Sequence, residues 1–97
     1  MPSEKPKNEF RLFASSRYPG GFDPNPILLA SGMTRWDGKN NEDMHLLQEE
    51  FRDKGLMPLF GHHPDKFISV DIALGKHGGL GASHPDHTIV LRRPVAA

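Results

Sequence analysis

The stretch Phe67-Ile68-Ser69-Val70-Asp71-Ile72-Ala73-Leu74 constrains the fold more than any other part of the chain. Ile68, Val70, Ile72 and Leu74 recur at every second residue, with Ser69 and Asp71 between them. Successive side chains of a β-strand point to opposite faces, so this spacing makes a strand with one apolar and one wetter face. Three other segments read as strands. Glu9 to Ser15 places Phe10, Leu12 and Ala14 on one face and Glu9, Arg11 and Phe13 on the other. Ile27 to Ser31 is a short apolar run of the kind found in a buried strand. Thr88 to Arg93 is the last strand, and Pro94 ends it.

The best helix runs from Asn41 to Lys54. Asn40 or Asn41 can cap its first turn, and Glu42 and Asp43 suit the positive end of the helix dipole. Met44, Leu47 and Phe51 fall at i, i+3 and i+7 and form one apolar stripe, which Leu46 broadens. Gly55 supplies a left-handed stop. One helix cannot cover both faces of a sheet. The expected fold is therefore α+β: one amphipathic helix on a four-stranded, mainly antiparallel sheet, in the order β-β-α-β-β.

The connections are rich in breakers. Arg17 to Pro26 holds Pro19-Gly20-Gly21 and Asp23-Pro24-Asn25-Pro26. Gly32 to Asn40 reads as a polar loop carrying Trp36, which core packing explains better than a partner contact in a chain with few large apolar residues. Leu56 to Phe60 is apolar but contains Pro58, so it reads as an edge segment or a packed loop. Gly61 to Lys66 is a turn. Residues 1–8 read as a flexible tail and 9–95 as a single domain. The start of the chain lacks the apolar stretch of a signal peptide, and no run approaches the ~20 residues of a membrane helix. With no cysteine, disulfides, thiolate metal sites and cysteine nucleophiles are excluded. A soluble, cytoplasmic protein is the expectation.

Between the last two strands lies Gly75 to His87, a long hairpin loop with four of the ten glycines and three of the six histidines. Long loops inside small domains are often functional, so Lys76, His77, Gly79, Gly81, His84, Asp86 and His87 are candidate binding residues, with Arg92 on the adjoining sheet. Imidazoles invite a metal reading, with zinc or another divalent ion. His45, His62, His63, His77, His84 and His87 do not pool into one site in a monomer, however, unless the long loop folds back along the sheet. The eight residues of Phe67–Leu74, at ~3.4 Å each, put His62-His63 and His77 more than about 20 Å apart. Any metal site is thereby confined to His77, His84 and His87, with Asp86 in support.

Other motifs fail on context. His62-His63-Pro64-Asp65-Lys66 is close to the signature of co-chaperone J-domains, but that signature joins two helices and here a strand follows. Gly75-Lys76 is not followed by Ser or Thr, and His84 stands where a dinucleotide fingerprint needs a third small residue. No Gly-x-Ser-x-Gly elbow is present, and no catalytic constellation emerges. Twelve acids balance twelve bases, so no long-range field draws nucleic acid or anionic lipid, and solubility should fall near pH 7. Arg92, Arg93 and Lys76 make a small basic patch, and Phe13 and Phe67 could stack on bases or pack on the helix.

These readings favour a small non-enzymatic binding domain that uses the Gly75–His87 loop toward a protein partner or a second copy. A histidine-dependent metal protein is the alternative, and a weak single-stranded nucleic-acid binder is the third reading.

Overall fold

A computed structural model of the chain describes residues 7–18, 25–75 and 85–95. Its elements are β1 (Asn8–Ser15), β2 (Ile27–Thr34), a 3₁₀ turn (Asn41–Asp43), α1 (Met44–Asp53), a second 3₁₀ turn (Met57–Gly61), β3 (Phe67–Ala73) and β4 (His87–Arg92). The strands form one sheet in the order β2-β1-β3-β4, and every neighbouring pair is antiparallel. The α+β architecture with one helix and four strands is the one the periodicities demand.

β1 and β3 are the central strands and carry the core. Phe10 faces Ile72, Leu12 faces Val70 and Ala14 faces Ile68 across the ladder, and all six are fully buried. Onto this face α1 lays Leu47 and Phe51, with Met44 partly buried beside them. The Phe51 ring meets Phe10 at 5.3 Å and Phe60 at 6.2 Å between centroids. The Asn40 side chain accepts from the Glu42 N–H, so the capping asparagine is Asn40. The helix therefore opens on a 3₁₀ turn, and its α-helical part begins at Met44. Gly55 has φ +71°, as a left-handed helix stop requires.

Several local readings need correction. Ile27–Ser31 is not buried: β2 is an edge strand that runs on to Thr34, and Ile27 and Leu28 are exposed. Its extension has a pairing cause, since Gly32 and Thr34 face Phe10 and Asn8 of β1. Asn8 is a buried strand residue rather than part of a tail, and the Lys7 N–H donates to the Thr34 carbonyl. His87 belongs to β4, opposite Ile72, rather than to the loop before it. Of the two readings of Leu56–Phe60 the packed loop agrees with the structure: a 3₁₀ turn spans Met57–Gly61 with Pro58 in its first positions, where a missing N–H costs nothing. The expected flexibility of residues 1–6 concerns positions outside the described residues.

Trp36 is 1% exposed and belongs to the core, as its size suggested. A polar network holds it. Its indole N–H donates to the Asn40 carbonyl at 2.8 Å, and its backbone N–H donates to the Thr34 hydroxyl at 3.1 Å. That hydroxyl in turn donates to the buried Glu50 carboxylate. Glu50 also accepts from the Arg35 guanidinium at 2.9 Å, an interaction that raises the Arg35 pKa above its ordinary value. The Asn8 amide donates to the Trp36 carbonyl at 3.0 Å.

Candidate functional site

Lys76, His77, Gly79, Gly81 and His84 lie outside the described residues. The three remaining candidates are placed, and each has a local task. The Asp86 carboxylate accepts from the Leu74 N–H at 2.8 Å, and its own N–H donates to the Ile72 carbonyl at 2.9 Å. It thereby clamps the base of the β3–β4 connection. His87 packs against the turn at Gly38, where an added Cβ would lie 3.0 Å from the His87 Cβ. The neighbouring Asp37 carboxyl is held below its usual range, first by the N–H groups of Lys39 and Asn40 and to a lesser degree by His87.

Arg92 sits four β3 positions from His87, opposite Ile68, and donates to the His63 carbonyl at 2.7 Å. It ties the His62-His63 turn to the sheet at the end away from Asp86. His63 and His87 thus lie by opposite ends of β3. Among the described residues no three His, Asp or Glu side chains gather as a metal site would require.

A different surface stands out. α1 covers one face of the sheet, and no described helix lies on the other. The outward residues of this open face fall in cross-strand rows about 7 Å apart, two residues per step. One row is polar: Ser31, Arg11, Asp71 and Thr88. Burial among these strands pushes the Asp71 carboxyl up, opposed by the Thr88 hydroxyl bond at 2.9 Å and by the Arg11 charge. The next row is Leu28, Phe13, Ser69 and Val90, with the small Ser69 side chain buried between its larger neighbours. Leu28 is 52% exposed, and Phe13 is partly exposed.

The third row brings distant residues together. Ser15 faces Phe67, and the Tyr18 ring meets the Phe67 ring edge-on at 5.5 Å. The Arg93 guanidinium stands over Tyr18 at 6.0 Å from the ring centroid. Tyr18 remains 54% exposed. Phe13 and Phe67 were legible as residues of the less apolar strand faces. The helix could have covered that side, and only its packing on the Phe10, Leu12 and Ile72 side leaves them outward. Tyr18 had a weak signal as a loop aromatic, of a kind commoner at partner surfaces, but its pairing with Arg93 had none, because 75 positions separate them.

On the helix side a smaller apolar hollow of about 160 Å³ opens between α1 and β4, lined by Met44, Phe51, Met57, Phe60 and Leu91 among others. It has room for one large side chain and is smaller than most ligand pockets. No helix of the described residues is long and apolar enough to cross a membrane. No protein-family model, curated protein or solved structure matches this chain.

Proposed function

We propose that the chain is a small non-enzymatic binding domain whose working surface is the open face of its sheet. One observation carries this reading: the two central strands turn Phe13 and Phe67 outward beside Leu28, Tyr18 and Arg11, and no described helix lies over them. Aromatic residues that are partly exposed (Phe13, Phe67) or exposed (Tyr18), set beside arginine, form the chemistry that most often anchors ligands on flat surfaces. A rigid antiparallel sheet holds those side chains at set spacings, so little order has to be acquired on binding. The Gly75–His87 loop, the surface first suggested by composition, leaves the sheet at the end opposite Phe67.

Fragment screening of the full chain by amide chemical shifts tests the reading. Small aromatic and charged compounds should perturb Phe13, Tyr18, Phe67 and Ser69 together. Perturbations confined to Met44, Met57 and Leu91 would overturn it in favour of the hollow beside α1.

A further inference from the structure

We infer that the aromatic corner of the open face binds single-stranded nucleic acid, an inference that rests on the binding role proposed for that face. Overall neutrality argued against such a ligand. The structure, however, segregates the charge. Three chain segments meet where β1 ends and β3 begins, and they bring together Arg17, Tyr18, Lys66, Phe67 and Arg93. Lys66 is anchored there by a 3.0 Å bond to the Ser16 hydroxyl. Across 15–18, 65–67 and 92–95 the only acid is Asp65, whose side chain is 78% exposed and lies 3.9 Å from the Lys66 ammonium. Among the described residues the acids of the open face lie elsewhere: Asp71 opposes Arg11, and Glu9 stands at the far end of β1.

This combination suits a single strand better than a protein segment. Unpaired bases offer π-faces that stack on flat aromatic side chains, and the phosphates between them need cations close by. Phe13 and Phe67 lie on adjacent strands in a diagonal relation, since Phe13 faces Ser69 and Phe67 faces Ser15. Such diagonal neighbours are ~7–8 Å apart, within reach of one unstacked dinucleotide step. Arg93, whose guanidinium lies over Tyr18 at 6.0 Å from the ring centroid, is placed to meet a phosphate while it stays over that ring. A duplex keeps its bases stacked inward and cannot use these rings.

The test is fluorescence anisotropy with a labelled oligothymidylate of roughly 10 nucleotides, a hairpin duplex as control, and amide shift mapping of the same complex. Single-strand binding should exceed duplex binding and weaken steeply with salt. Tyr18→Ala, at an exposed position, should weaken it by about tenfold, within the range that one base–aromatic stack contributes. Arg93→Ala should lower the salt slope by ~0.7 for each phosphate that the arginine neutralises. Thermal melts of both variants show that the fold is retained. Absence of binding at low salt, or binding indifferent to Tyr18→Ala, overturns the inference. If the oligonucleotide fails while fragments still perturb Phe13 and Phe67, the binding face stands and its ligand is not nucleic acid. Concentration-dependent broadening of those residues without oligonucleotide would point to a second copy instead. Shifts that fall only outside the open face overturn both readings.

Discussion

Replacing Thr34 by Val tests the buried polar network that joins α1 to the end of β2 and to Trp36. The side chains are nearly the same size, and Thr34 is fully buried, so packing changes little. What changes is the hydroxyl. It donates to the Glu50 carboxylate and accepts from the Trp36 N–H at 3.1 Å. A hydrogen bond to a charged group contributes about 1.5–3 kcal/mol, and a buried N–H left without an acceptor costs about 1–3 kcal/mol. Together the loss is about 2.5–6 kcal/mol, against a total stability of ~5–15 kcal/mol for a domain of this size. Urea unfolding followed by circular dichroism reads this directly. With a slope of ~1.5 kcal/mol per molar, the midpoint should fall by at least about 1.7 M. Thr34→Ser is the control. It keeps the hydroxyl and removes one methyl, worth about 1 kcal/mol. If the network matters as described, serine is tolerated better than valine, the reverse of what apolar burial alone demands. A valine variant that loses less than about 1 kcal/mol, or that outlasts the serine variant, refutes the reasoning.

Two glycines with positive φ should respond differently to alanine. At Gly38 the new Cβ meets His87 at 3.0 Å and Ile72 at 3.3 Å, whereas at Gly55 nothing lies within 4 Å. Gly55→Ala should cost about 1–2 kcal/mol of backbone strain, and Gly38→Ala about 1–3 kcal/mol more from overpacking. Equal losses in thermal melts would refute the close approach at His87. Asp71→Asn tests the raised carboxyl of the open face. An acid whose folded pKa is raised stabilises at low pH and loses that contribution as pH climbs through the folded value. The Asn variant should therefore gain on the parent protein between the ordinary carboxyl range, about 3.9, and neutrality. Urea midpoints measured across pH 3–7 check it, and a difference that shrinks with rising pH contradicts it. Asp86→Ala should free the Leu74 N–H, whose bond to a carboxylate contributes about 1.5–3 kcal/mol, so its exchange should speed by roughly tenfold or more while the β1 amides stay protected. Unchanged exchange at Leu74 would remove Asp86 as the clamp.

The two-residue alternation of Phe67–Leu74 and Glu9–Ser15 and the stripe Met44, Leu47, Phe51 determined the fold class by themselves. Period is a local property, and a strand with one apolar face must bury that face whatever its neighbours are. The same reasoning gave the helix its asparagine cap and its glycine stop. It failed at Ile27 and Leu28, because an apolar run looks the same in a central strand and at an edge. It also failed to foresee the link from Thr34 to Glu50 and Trp36, since nothing local says which hydroxyl will face which carboxylate.

The candidate site divides along the same line. Composition directed attention to glycines and histidines between Gly75 and His87, and the described ends of that segment, Asp86 and His87, are held by the sheet and the Gly38 turn. Tertiary structure alone decided which face α1 covers. That choice turned Phe13 and Phe67 outward, and strand order then carried Tyr18 and Arg93 to their side. Amphipathic periodicity tells each element that it has an inside. Only packing of the elements on one another decides what remains on the outside.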